Sequence, residues 1–143
     1  MSARRLFTTM AVLALLGIAV SSISLYHHYG SETTSYCDFG QSFNCDMVNR
    51  SIYSTVMGIP VALIGVLGYL AILILATIFR SRPETSLIVL IASIAGLGFA
   101  VYLTYIEAFV LAVWCVLCLS SLALIAMIAG SAGALAWQER RHK

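Results

Sequence analysis

Four stretches of this chain carry no Asp, Glu, Lys, Arg or His: Leu6 to Tyr26, Met57 to Phe79, Ser86 to Ile106 and Phe109 to Ala136. Each is at least about 20 residues, the length a helix rising about 1.5 Å per residue needs to cross hydrocarbon. None alternates apolar with polar positions as the strands of a membrane barrel do. The pattern predicts an all-α membrane protein: a four-transmembrane-helix bundle with spans at 6–26, 57–79, 86–106 and 109–136, and a long outer loop between helices 1 and 2. There is no internal repeat and no polar linker that would join a second domain, so residues 1–143 read as a single integral membrane domain. The first run, with Arg4 and Arg5 before it and Ala19, Ser21 and Ser22 near its end, also resembles a cleaved secretory signal. The apolar core of such a signal is usually about 7–15 residues, shorter than this run.

Composition agrees with a lipid setting. The chain is 61% hydrophobic and 10% charged, against roughly 25% charged in soluble domains, and its mean hydropathy is +0.97. A soluble enzyme and a disordered tail are excluded on that ground, and a net charge of +2 is too small for a nucleic-acid footprint. Where the charges sit matters more than their sum. Seven of the eight Lys and Arg residues (Arg4, Arg5, Arg80, Arg82, Arg140, Arg141 and Lys143) fall in segments that an even number of crossings places on one side. The positive-inside rule makes that side cytoplasmic, with both termini on it. The segment from His27 to Val56 and a very short turn at Glu107 and Ala108 then lie outside, at the surface of a cell membrane.

That topology puts all four cysteines on the outer side: Cys37 and Cys45 in the long loop, Cys115 and Cys118 near the start of the last span, with Cys115 six residues inside it. Such a compartment is oxidising. Cys115 and Cys118 have the C-x-x-C spacing, which on a helix places both sulfurs on one face near the positive end of the helix dipole. A disulfide across two intervening residues constrains the unfolded chain very little, which favours redox work over a structural staple. Two readings compete with it: a zinc site of four thiolates, disfavoured by the apolar run from Trp114 to Leu119, and two inert structural disulfides.

Between Cys37 and Cys45 the stretch is polar and contains Gly40, so it can curl into a loop that swings between an external protein and the mouth of the bundle. Electrons reaching Cys115 and Cys118 need an acceptor that lives in lipid. With no haem ligands and no dinucleotide fingerprint, a membrane quinone of the menaquinone or ubiquinone type is the simplest choice. Tyr53, Tyr102, Tyr105, Phe109 and Trp114 are the aromatic candidates to line its pocket, although a role as interfacial belt residues is the commoner one. Small residues in the second and third spans (Gly58, Ala62, Gly65 and Gly68; Ala92, Ala95, Gly96, Gly98 and Ala100) read as close helix packing. Pro60 falls in the first turn of the second span, where its missing N–H is tolerated.

These residues together resemble the vitamin K epoxide reductase family, in particular its prokaryotic branch. The resemblance rests on Cys37-x7-Cys45 between the first two spans, Ser51 six residues further on, the stretch from Tyr53 to Pro60, and Cys115-x-x-Cys118 entering the fourth span. It implies roles residue by residue. Cys37 would exchange with a partner thiol, Cys45 would exchange with Cys115, and Cys118 would face the quinone, with Ser51 beside it. Ser51 also fits a cap or a sequon hydroxyl, because Asn49-Arg50-Ser51 matches the glycosylation pattern. The chain departs from the vertebrate members in having Leu122 where they carry a tyrosine, which weakens vitamin K epoxide as substrate. Many bacterial relatives carry a fused thioredoxin-like domain, which residues 1–143 do not contain, and the expectation is a separate thioredoxin-fold, DsbA-like partner.

The function expected is that of a membrane thiol-disulfide oxidoreductase that oxidises such a partner, passes the electrons to a quinone and supports disulfide bond formation. The rival class is a non-catalytic membrane scaffold or transporter subunit with structural disulfides. A transporter would be favoured by ionisable residues inside the membrane, and the four apolar runs contain none.

Overall fold

The computed structural model describes residues 2–30 and 42–143. Five α-helices follow one another among these residues: α1 (Ala3–Tyr29), the short α2 (Cys45–Asn49), α3 (Val61–Thr77), α4 (Thr85–Ile106) and α5 (Val116–Arg141). A single 3-10 turn (Ile52–Ser54) and a two-stranded hairpin, β1 (Thr55–Val56) with β2 (Ile59–Pro60), link α2 to α3. Helix α1 packs against both α3 and α5, and α5 packs in turn against α4. The helical, membrane-type architecture therefore agrees with the sequence reading.

Three helices are long and apolar enough to cross a membrane: α1, α5, and α4 extended to Leu111. The helix in the second apolar run, α3, has 17 residues and starts four positions later than the apolar pattern suggested. The reason is local. Met57 and Gly58 both take positive φ, 53° and 82°, which is the two-residue turn whose twist matches a tight antiparallel hairpin. Thr55 pairs with Pro60 and Val56 with Ile59. Pro60 is thus the residue that caps α3, at φ −60°, rather than a member of its first turn.

A second departure lies between α4 and α5. Instead of turning at Glu107 and Ala108, the chain continues through a π-helical turn over Glu107–Leu111 and breaks at Ala112, whose φ of 54° is left-handed. The N–H groups of Ala112 and Val113 both return to the Glu107 carbonyl. Helix α5 then begins at Val116, seven residues later than the apolar run suggested. An unbroken run of apolar residues looks the same whether it is helical or extended, so hydropathy alone does not mark this break.

Fully buried Met10 and Ala14 of α1, Val89 of α4, and Ile128, Ala132 and Leu135 of α5 form one core. Between helices in lipid, close van der Waals contact supplies much of the cohesion. Gly17 shows how close: a Cβ there would lie 2.4 Å from the Tyr69 ring of α3. Tyr69 in turn donates its hydroxyl hydrogen to the Ser121 carbonyl at 2.9 Å, tying α3 to α5 at mid-bundle.

Candidate thiol-disulfide site

The site is organised by the start of α5. Cys115 is the N-cap residue, with extended backbone, and its Sγ accepts the Cys118 N–H at 3.3 Å. A sulfur therefore does the work usually given to a serine or aspartate oxygen, satisfying one of the N–H groups that a helix start leaves unpaired. Both thiols are free, Cys115 fully buried and Cys118 partly so. This corrects the expectation that Cys115 lies six residues inside the last helix, because residues 112–114 break the chain out of helix before it. The helix dipole still favours negative charge on a sulfur at this position.

Cys45 opens α2, is fully buried, and packs against Cys115, with Val48, Leu117 and Cys118 around the pair. Cys45 is in a disulfide, whereas Cys115 and Cys118 are not. Backbone hydrogen bonds fix this approach. The Asn44 N–H donates to the Trp114 carbonyl at 3.0 Å and the Trp114 N–H to the Ser42 carbonyl at 2.8 Å, so the chain before α2 runs alongside the chain before α5. Residues 42–44, at the end of the loop, are therefore pinned to the bundle, while most of the stretch expected to swing lies outside the described residues. Cys37 and the rest of the stretch at 31–41 lie outside the described residues.

Glu107 is the residue the sequence reading misplaced. Expected in an exposed outer turn, it is 1% exposed. Its Oε2 accepts the Cys115 N–H at 3.2 Å, its carboxyl reaches the Cys118 side chain, and Oε1 has no hydrogen-bond partner. An ionisable group is thus enclosed in the bundle after all, and it sits against the cysteines rather than along a separate path. One signal was available: Glu107 is the only acidic residue between Glu84 and Glu139.

A cavity of about 300 Å³ opens beside Cys118, lined by all four long helices and by the segment between α2 and α3. That volume is at the lower end of ligand pockets, about 300–1,000 Å³. Gly65, Gly68, Ala92 and Gly96, expected to serve packing, border this space. Ser51 also lines it, and its Oγ donates to the Val48 carbonyl at 2.8 Å, holding the end of α2. Asn49 is 6% exposed and its Oδ1 accepts the Ser24 hydroxyl hydrogen at 2.6 Å, which is no setting for a glycan acceptor. Its Nδ2 has no hydrogen-bond partner. Of the five outer aromatics only Tyr53 borders the cavity. Tyr102, Tyr105 and Phe109 are more than half exposed, where belt residues sit, and Trp114 is bridged to Phe43.

Comparison with known proteins agrees with this arrangement. The model of the vitamin K epoxide reductase family matches residues 8–132. No curated protein matches the chain. The chain belongs to the vitamin K epoxide reductase family, whose members are membrane oxidoreductases of disulfide chemistry that generally use quinones.

Proposed function

We propose that this vitamin K epoxide reductase family member takes two electrons from a reduced thioredoxin-fold protein outside the membrane and gives them to a membrane quinone, of the menaquinone or ubiquinone type. The observation that carries the reading is the contact between buried Cys45 and buried Cys115, with Cys118 on the wall of the cavity behind them. Three sulfurs are thereby in sequence from the loop to the pocket. In this relay a partner thiolate attacks Cys37, opening the loop disulfide and freeing Cys45. The partner's second thiolate attacks that mixed disulfide, leaving as the partner disulfide and freeing the Cys37 thiolate. The Cys45 thiolate attacks Cys115 in the oxidised helical pair and releases Cys118, and Cys37 then attacks Cys45, which restores the loop disulfide and leaves Cys115 and Cys118 reduced.

The residues around the cavity fit a quinone. Its walls are largely apolar, small side chains leave room for a flat ring, and Asn49 Nδ2 is a buried donor with no partner, as a carbonyl acceptor would require. Cys118 and Ser51 border the same space. A bound quinone supplies the two-electron acceptor; the protein's part is to hold the ring beside Cys118 and to keep water away from the exchange.

The membrane arrangement belongs to the same proposal. We read residues 1–143 as one domain crossing four times, with α3 as the fourth span: its 17 residues reach about 25 Å, enough for a thin crossing. Both termini face the cytoplasm and all four cysteines lie towards the outer side. The test is to mix the purified chain with a reduced thioredoxin-fold protein and a soluble quinone. Thiol loss and quinol formation should advance together, one quinol for each disulfide made; quinol formation without thiol loss, or neither, would refute the reading.

A further inference from the structure

Oxidation of Cys115 and Cys118 to a disulfide gives up two protons as well as two electrons, and the quinone of the proposed reaction takes up both to become a quinol. The thiols are enclosed among apolar side chains, so the protons need a carrier built from the protein. Glu107 is placed for it. Its carboxyl is enclosed, Oε2 is held by the Cys115 N–H, the Cys118 thiol lies within its reach, Oε1 has no hydrogen-bond partner, and the residue borders the cavity. Burying a carboxylate is costly unless it is compensated, and one backbone N–H compensates only part of that. A purely structural role would be met more cheaply by glutamine, whose side-chain oxygen accepts the same N–H.

We infer that Glu107 is the acid–base residue of the dithiol centre: its carboxylate takes the proton of the Cys118 thiol, leaving a Cys118 thiolate and a neutral Glu107 carboxylic acid, and hands that proton on as the pair is oxidised. The transfer is balanced in itself, one proton leaving sulfur and one arriving on oxygen, with no change of oxidation state. It rests on the reading of Cys118 as the inner redox thiol. The other titratable side chains lining this space are His28 on α1, Tyr53 before the hairpin and Tyr69 on α3; Cys115, the cap of α5, contacts Cys118 from behind the wall, and Cys45 of α2 is held in its disulfide. Among the described residues, Glu107 carries the only carboxyl that lines the cavity, and no Lys or Arg side chain lines it.

The experiment needs neither quinone nor partner. The full chain, reduced and monodisperse in detergent, is treated with N-ethylmaleimide from acid to alkaline pH, and modification of Cys118 is timed by mass spectrometry. Wild-type protein should show reactivity that rises first with ionisation of the carboxyl, well below the range of an isolated thiol, and again at alkaline pH. Glu107→Gln should keep the Cys115 N–H acceptor, react about tenfold or more slowly at neutral pH and retain only the alkaline rise. Glu107→Asp should recover part of the neutral reactivity. A Glu107→Gln protein that reacts as fast as wild type, or faster, would overturn the inference, since a carboxylate that acts only by its negative charge holds the thiol protonated. If that variant does not fold, the wild-type profile decides: a single alkaline rise overturns the proposal. A chain that turns over no quinone yet shows the two-step profile would refute the functional reading and leave this assignment standing.

Discussion

Cys115 does two jobs with one sulfur atom, and substitutions separate them. As N-cap it accepts the Cys118 N–H, so Cys115→Ser should keep the cap and change stability by less than about 1 kcal/mol, while Cys115→Ala should lose about 1 kcal/mol more. Thermal unfolding of the reduced proteins measures the difference, and both variants should be inactive in the relay. Cys118→Ala should abolish quinone reduction while the loop pair still exchanges with a partner thiol; Cys37→Ala should block electron entry and leave the quinone site intact. Normal turnover in either single variant would contradict the order of transfer. At this scale the C-x-x-C pair and Cys45 were legible because spacing is written in the sequence. Glu107 was not. A lone acid between two apolar runs looks like an exposed turn, and only the π-helical turn and the left-handed Ala112 fold it back onto the Cys115 N–H.

Both element boundaries that the apolar pattern misplaced are set by residues with positive φ. Met57 and Gly58 make the hairpin that delays α3, and Ala112 makes the break that delays α5 to the residue after Cys115. A left-handed alanine is tolerated only because its surroundings hold it there, at a cost on the order of 1 kcal/mol. Ala112→Gly should therefore match or exceed wild-type stability, whereas Ala112→Val should lose about 1–3 kcal/mol and disturb the Cys115 cap. Equal losses in the two variants, measured by thermal unfolding, would mean that the backbone conformation at Ala112 is not what fixes the start of α5. The helices themselves were legible from the absence of charge. The pinning of the loop was not, because it runs through the backbone of Ser42, Asn44 and Trp114, which hydropathy does not record.

For the molecule as a whole, the relay needs an outer face and a contact across it. Met57 is 99% exposed at the tip of the hairpin, and Arg82 is exposed in the link between α3 and α4. With Met57→Cys, a membrane-impermeant maleimide should label intact cells; with Arg82→Cys it should label only after the membrane is opened. The reverse pattern would invert the topology and remove the oxidising side on which the chemistry relies. The helical membrane architecture follows from the apolar runs, and the approach of Cys45 to Cys115 was implied by the family resemblance, but the cavity was not legible, since small residues border empty space and close contacts alike. In the proposed relay, electrons pass from the loop to the helix through Cys45 and Cys115. Removing Cys37 and Cys118 together leaves those two sulfurs without their competing partners. Under mild oxidation, mass spectrometry of that double variant should find a peptide containing Cys45 joined by a disulfide to one containing Cys115. Two free thiols under the same conditions would show that the relay does not run through this contact.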